Sequence, residues 1–286
     1  MPLLKIVILA IIQGLAELLP VSSSAHVVVA ERLMGLDASS PQMTLLLVML
    51  HTGTMFAVIA YFWKQWRRTY FRSAGAFKLI AIRLVWATVL TGIIGLVMQK
   101  IVEKTLLKGV PHAQIEDLFN HLEWIWPALA AAGVLILVAG IFARDESEDD
   151  GREPSLSQSS WIGAVQGFCL PFRGFSRSGA TISTAMLAGV ARQRSETFSF
   201  ALAVILTPPV VAREVLRLAH AQHISGSFNL ASAMVPGLIG MLCSFVAGLL
   251  ALKWLSRWLE GGRWYLFGIY CLLASAVVFY LHAKGL

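Results

Sequence analysis

Charged side chains are scarce in this chain. Asp, Glu, Lys and Arg make up 14% of its 286 residues, whereas hydrophobic residues make up 57%. A soluble domain usually carries about 25% charged residues, and a soluble fold of this size could not bury so much apolar surface. The composition therefore excludes a soluble enzyme, a nucleic-acid-binding protein and a disordered chain. It predicts a membrane protein whose main solvent is lipid.

Cysteine is also rare, and its three copies, Cys169, Cys243 and Cys271, are isolated in apolar segments. An odd number without C-x-x-C spacing indicates neither a disulfide framework nor a zinc site, so we expect buried thiols. The apolar N-terminus lacks a small-residue cleavage site typical of a signal peptide. The net charge of +7 is explained by basic cytoplasmic loops and requires no nucleic-acid partner.

Long apolar segments, by contrast, are abundant. A spanning helix needs about 20 mostly apolar residues, and six segments meet that requirement: about 42–63, 79–101, 124–143, 198–219, 231–252 and 264–283.

Two further apolar segments are interrupted by polar residues. Residues 3–36 contain Glu17, Pro20 and a run of three serines, and residues 161–191 contain Pro171 and the sequence Ser-Arg-Ser-Gly. Each apolar half is too short to cross about 30 Å of hydrocarbon. Each segment is therefore predicted to be a re-entrant helical hairpin with a polar tip, which lipid tolerates only inside protein or beside water.

Basic loops predict the orientation. Five Lys or Arg residues lie in 64–78 and three in 253–263, whereas 220–230 contains none. These loops should be cytoplasmic, and the acidic linker at about 144–160 should lie on the same side. Both termini then lie on the opposite side of the membrane.

The two interrupted segments resemble each other. Gln13-Gly14 precedes Pro20 and one serine run, and Gln166-Gly167 precedes Pro171 and the other. Three spans follow each hairpin, and because three is odd the second half must be inverted relative to the first. We predict an all-α membrane protein with six transmembrane helices, two re-entrant hairpins and an inverted-topology repeat. It forms one membrane domain, with repeats at about 1–143 and 161–286, and the polar tips meet inside it.

The first tip concentrates reactive groups. Glu17, Ser22, Ser23 and His26 lie within ten residues of each other. A carboxylate, hydroxyls and an imidazole can supply a nucleophile, an acid or base and a metal ligand. Alternatively, Glu17 is a carboxylate at a helix end, His26 is a satisfied core residue, and a serine is a helix cap.

The second tip indicates anion binding. Arg177 places a planar guanidinium, which suits phosphate oxygens, between Ser176 and Ser178, and Thr181 follows one turn later. Glycines and a following helix N-terminus would add backbone donors. Alternatively, Arg177 pairs with Glu17 or extends to the membrane interface. Together the tips predict recognition and hydrolysis of an amphiphilic phosphate.

These motifs resemble a known family. Residues 13–26, with the sequence QGLAELLPVSSSAH, and residues 174–181, GFSRSGAT, are similar to the two motifs of the bacterial undecaprenyl-pyrophosphate phosphatases, the bacitracin-resistance membrane family. Residues 51–54, HTGT, also look like this family. The similarity extends over essentially the whole chain.

The resemblance implies hydrolysis of undecaprenyl pyrophosphate to the monophosphate lipid carrier used in cell-wall synthesis. It also implies a divalent cation (Mg²⁺ or Ca²⁺), a homodimer, and a site in the bacterial inner membrane that opens to the periplasm. By motif position, Glu17 is the essential acid and the cation ligand, Ser23 and His26 are nucleophile and acid/base in either order, and Arg177 binds phosphate. Further candidates for phosphate binding are Gln13, Ser22, Ser176, Ser178 and Thr181.

Two departures from the family pattern bear on this site. Gln13 stands where the family commonly has a second Glu, so Glu17 would hold the cation without a second carboxylate. Arg173 stands where the family often has Pro. An alternative function for the same anion site is a lipid-phosphate flippase or secondary transporter, since inverted repeats serve alternating access.

Overall fold

The computed structural model describes residues 2–37, 40–106, 122–143, 152–225 and 230–285. All regular secondary structure within these residues is α-helical. The ten helices are α1 (Leu3–Leu18), α2 (Ser23–Leu33), α3 (Pro41–Thr69), α4 (Ala74–Leu106), α5 (Leu122–Phe142), α6 (Leu156–Cys169), α7 (Arg177–Leu187), α8 (Arg192–Ser225), α9 (Leu230–Glu260) and α10 (Tyr265–Ala283).

Six of these helices, α3, α4, α5, α8, α9 and α10, are long and apolar enough to cross a membrane. They coincide with the six segments that the sequence predicts. Large apolar side chains such as Leu96, Phe142 and Leu242 are more than half exposed on their outer faces, which suits lipid and not water. The chain is a multi-pass membrane protein.

Several helix ends lie beyond the predicted boundaries. The predicted loop 64–78 is mostly helical, because α3 continues to Thr69 and α4 begins at Ala74. Likewise α9 continues to Glu260 through most of the predicted loop 253–263. Hydropathy detects only the apolar part of a helix, whereas Lys and Arg are good helix formers that extend it into the polar interface.

The linker predicted at about 144–160 is also shorter than expected. Helix α6 begins at Leu156, where Ser155 Oγ accepts a hydrogen bond from the Gln158 amide at 3.2 Å and Gln158 Oε1 accepts one from the Ser155 amide at 2.7 Å. This capping box starts the helix before its apolar part. Residues 144–151 of the predicted linker lie outside the described residues.

The two interrupted segments are broken at the predicted places. Helices α1 and α6 have 16 and 14 residues, so they rise about 24 and 21 Å at about 1.5 Å per residue. Helices α2 and α7 have 11 residues each and rise about 16 Å. None of the four is long enough to cross the hydrocarbon core on its own.

Small residues let the two halves of the chain pack closely. Helix α1 packs along α9, where a Cβ on Gly14 would lie 2.7 Å from the Ser244 carbonyl oxygen. Helix α6 packs along α4, where a Cβ on Gly163 would lie 2.4 Å from the Ala87 carbonyl oxygen. The first helix of each half therefore lies against a spanning helix of the other half.

We expect Gly163→Ala to destabilise the protein by about 1–3 kcal/mol, because the new methyl group meets backbone that cannot yield. The matched control is Gly92→Ala on α4, where a Cβ would have nothing within 4 Å and the higher helix propensity of Ala should be neutral or favourable. Thermal unfolding in detergent measures both. Equal stability of the two variants would contradict close packing of α4 on α6.

Candidate active site

The two interrupted segments contact each other through their polar tips. The Gly174 amide donates to Ser24 Oγ at 3.1 Å, and Ser178 Oγ donates to the Leu19 carbonyl at 3.3 Å. Both bonds join residues about 150 positions apart in the chain. The two tips therefore meet, as the sequence predicts, and the residues of the predicted site lie close together.

The first tip contains a strained residue. Pro20 interrupts the helix, and Ser22 then adopts φ 67°, the one non-glycine positive φ in the described part of the chain. A side chain in this region costs about 1–3 kcal/mol, so surrounding contacts must hold it. Ser22 Oγ accepts from the Ala25 amide at 3.4 Å and caps α2. The break at Pro20 and the Ser22 cap together determine that α2 begins at Ser23.

The second tip depends on a glycine and a serine cap. Gly174 has φ 100°, and a Cβ there would lie 2.4 Å from the Ile125 carbonyl oxygen, so no larger residue fits. Ser176 Oγ accepts from the Gly179 amide at 3.2 Å and caps α7. Arg177 is consequently the first residue of the helix.

A cavity of about 80 Å³ lies between the tips. Seven of its nine lining residues carry polar or charged side chains, and all nine come from the two tips: Ala16, Glu17, Ser22, Ser23, Ser24, Phe175, Ser176, Arg177 and Ser178. The first residues of both α2 and α7 are among them. Two helix N-termini and a guanidinium therefore adjoin one small cavity, an arrangement that suits an anion.

Glu17 is the hub of the site. Its Oε1 accepts from Arg177 Nη2 at 3.0 Å, and its Oε2 accepts from Ser23 Oγ at 2.5 Å and from Gln13 Nε2 at 3.2 Å. The Glu17 and Arg177 side chains are 17% and 23% exposed. The Arg177–Glu17 pair considered as an alternative from the sequence is present. The same carboxylate also accepts from the Ser23 hydroxyl, so Ser23 lies beside a potential proton acceptor.

His51 of α3 completes the surroundings of Glu17. Its Nδ1 lies 3.0 Å from Gln13 Nε2 and 3.7 Å from Glu17 Oε2. Because an amide nitrogen only donates, Nδ1 of a neutral His51 is the acceptor and the proton resides on Nε2. The sequence motif around His51 was part of the family resemblance, but its contact with Gln13 was not foreseen.

Three candidate residues, Gln13, His26 and Thr181, are not part of the cavity wall. His26 directs Nδ1 to the Ser22 carbonyl at 2.8 Å and Nε2 to the Tyr270 hydroxyl at 2.7 Å. Thr181 is fully buried; its hydroxyl lies 2.9 Å from the Arg177 carbonyl and 2.6 Å from Ser199 Oγ. Their direct roles at a phosphate stay predictions.

Sequence reasoning missed three residues around the site. Ser24 and Phe175 line the cavity, and Tyr270 reaches His26 from α10. Ser24 belongs to the serine run and Phe175 to the second motif, so proximity in sequence could have indicated both. Tyr270 lies in a spanning helix, and nothing in its local sequence marks it.

The donors around Glu17 limit what cation could bind. Within the described residues no group of three His, Cys, Asp or Glu side chains could hold a metal ion. One carboxylate with a neighbouring hydroxyl oxygen suits Mg²⁺ that takes its other ligands from phosphate and water. The donor set does not suit a site built from protein ligands alone.

The fold and the cavity define a multi-pass membrane protein with a small polar cavity between two broken helices. The family model described as bacitracin resistance protein BacA matches residues 6–277. The chain belongs to this family, which confirms the resemblance drawn from its motifs.

Similar curated proteins carry a consistent name. The chain is 57% identical over 281 residues, 97% of each chain, to a protein of Acinetobacter baylyi named undecaprenyl-diphosphatase 2. It is 32% identical over 292 residues to a protein of Burkholderia ambifaria with the same name, covering 98% of this chain and 96% of that protein.

The Glu17–Arg177 pair should show energetic coupling. Glu17→Gln leaves the guanidinium without a counter-charge, and Arg177→Gln leaves the carboxylate without one, so each single variant should lose stability. The double variant should lose less than the sum of the two, with a coupling of about 0.5–3 kcal/mol. Unfolding of the four proteins in detergent measures it. Strict additivity would contradict a direct pair.

Proposed function

We propose that the chain hydrolyses undecaprenyl pyrophosphate to undecaprenyl phosphate and inorganic phosphate. Membership of the family, the names of its relatives and an anion cavity in a membrane protein all support this proposal. The observation that carries it is that Glu17 contacts Ser23 and Arg177 simultaneously. One carboxylate thus joins a potential nucleophile to a potential phosphate ligand.

In the proposed reaction, Arg177 and the N-termini of α2 and α7 bind the two phosphates. Ser23 Oγ attacks the terminal phosphorus while Glu17 accepts its proton, the phosphorus–bridging oxygen bond breaks, and undecaprenyl phosphate departs. Water then attacks the phosphoserine, which releases phosphate and restores the Ser23 hydroxyl. Positioning and charge stabilisation supply most of the acceleration in such transfers.

The contacts favour Ser23 over His26 as the nucleophile. Ser23 lines the cavity and its hydroxyl donates to Glu17 at 2.5 Å. Both nitrogens of His26 face other groups, the Ser22 carbonyl and the Tyr270 hydroxyl. We therefore assign attack to Ser23 and an assisting role to His26.

A divalent cation, Mg²⁺ or Ca²⁺, belongs to the same proposal. Glu17 would hold it together with the phosphates of the substrate. When bound there, the cation would neutralise the charge that develops on the leaving oxygen.

The wall of the cavity also suits a lipid substrate. Phe175 lines the cavity and packs edge-on against Phe168 with ring centroids 6.1 Å apart. Phe168 is exposed on the outer surface. A prenyl chain attached to a phosphate in the cavity would leave it along this apolar route.

The proposal includes a topology. Two re-entrant hairpins and an inverted repeat would account for the short helices and for the reciprocal packing of α1 on α9 and α6 on α4. The basic loops would lie in the cytoplasm, and by the resemblance to the family the site would open to the periplasmic face of the inner membrane. The homodimer implied by the resemblance stays a prediction.

Phosphate release from undecaprenyl pyrophosphate in detergent tests the proposed function. Ser23→Ala and Glu17→Gln should each lower the rate by about 100-fold or more, because they remove the nucleophile and its base. Ser157→Ala, an exposed serine on α6, should keep the wild-type rate.

The same assay in detergent also distinguishes hydrolysis from the alternative of a flippase or transporter. Micelles do not separate two compartments, so transport cannot be observed there, whereas phosphate release can. A wild-type protein that releases no phosphate, yet moves the lipid in vesicles, would favour the transporter and end the phosphatase proposal.

A second prediction concerns Gln13. Gln13→Glu adds a carboxylate beside Glu17, so half-maximal activity should be reached at a cation concentration several-fold lower. Gln193→Glu, at an exposed position near the start of α8, makes the same change of charge away from the site and should not shift the titration. Identical cation curves for wild type and Gln13→Glu would argue against a cation at Glu17.

A further inference from the structure

His26 is held between a backbone carbonyl and a tyrosine. Its Nδ1 lies 2.8 Å from the Ser22 carbonyl oxygen and its Nε2 lies 2.7 Å from the Tyr270 hydroxyl. A carbonyl can only accept, so Nδ1 carries the proton and Nε2 of the neutral ring accepts from the tyrosine. The two rings also stack, with centroids 5.7 Å apart and planes at 11°.

The next residue on α10 contacts the same tip. Cys271 Sγ donates to the Pro20 carbonyl at 3.3 Å. Consecutive residues of one spanning helix thus bind the first tip on both sides of Ser22. Helix α10 packs mainly against α5, and neither helix contributes a residue to the cavity wall. These contacts therefore fix the first tip relative to α5 and α10.

The position of Ser22 explains why such contacts matter. Ser22 has φ 67°, a conformation that persists only where its surroundings enforce it. It directly precedes Ser23, and His26 lies three residues after Ser23 on the same face of α2. The hydrogen bonds therefore run from Tyr270 to His26 and from His26 to Ser22. Ser22 is the N-cap of α2, so it determines that the helix begins at Ser23.

We propose that Tyr270 is a positioning residue for the phosphatase reaction: its hydroxyl fixes the His26 ring, and through it the Ser22 carbonyl, so that Ser23 stays beside Glu17. The inference rests on the proposed function and extends it to a residue outside the cavity. It assigns Tyr270 no contact with substrate.

The test compares Tyr270→Phe with Tyr280→Phe. Both lie on α10 and both variants remove only a hydroxyl, but Tyr280 is 58% exposed and lies ten residues further along the helix, a rise of about 15 Å. Tyr270→Phe should lower kcat by about 3–10-fold, the effect of one lost hydrogen bond, with KM within twofold of wild type. Tyr280→Phe should match wild type. Thermal unfolding in detergent checks that both variants fold.

A second measurement follows His26 itself. Diethyl pyrocarbonate modifies an unprotonated imidazole nitrogen, and the Tyr270 hydroxyl covers that nitrogen of His26. Peptide mass spectrometry should therefore find His26 modified several-fold faster in Tyr270→Phe than in wild type. His51, which is 44% exposed and contacts Gln13, should be modified at the same rate in both proteins.

The kcat of Tyr270→Phe and the reactivity of its His26 together decide whether Tyr270 is a positioning residue. A lower kcat together with a faster reaction of His26 supports the proposal. An unchanged kcat, or a lower kcat with an unchanged reactivity of His26, overturns it. If the wild-type protein releases no phosphate, the proposed function fails, and the reactivity of His26 still shows whether Tyr270 holds the ring.

Discussion

The ion pair between Glu17 and Arg177 is the interaction on which the rest of the site depends. An isolated charge in an apolar surrounding is costly, and the cost falls when an opposite charge lies within hydrogen-bond reach. The two residues are 160 positions apart, so their pairing joins the two halves of the chain. Ser23, the caps of α2 and α7 and the cavity between them take their places around this pair.

The surrounding helices hold the two residues of this ion pair in fixed positions. Glycines at the contacts of α1 with α9 and of α6 with α4 bring backbone against backbone, which leaves α1 and α6 little freedom to slide. Gly174 meets the Ile125 carbonyl of α5, and Cys271 of α10 meets the first tip. Rigid spans thus support polar loops that would otherwise carry unsatisfied backbone groups in lipid.

Much of this arrangement could be predicted from the sequence because the relevant signals are local. Pro20 and Pro171 mark the breaks, serines mark the caps, and a charge as costly as that of Arg177 must have a purpose in an apolar segment. The two motifs and their order along the chain are sufficient to indicate the family.

The remaining features depend on contacts that sequence patterns do not encode. The direction of a side chain follows from the fold, so nothing local indicated that His26 would face Tyr270 or that Thr181 would bond to Ser199. Helix ends were misjudged for a different reason. Hydropathy measures apolar content, whereas α3 and α9 continue through basic residues that favour helix but not lipid.

The most direct measurement of the central claim is an experimental structure with a non-hydrolysable analogue of undecaprenyl pyrophosphate. The account predicts the analogue's phosphates between the N-termini of α2 and α7, with Arg177 bonded to phosphate oxygens and Ser23 facing the terminal phosphorus. Phosphates bound elsewhere, with the Glu17–Arg177 pair undisturbed and no contact to Ser23, would contradict it.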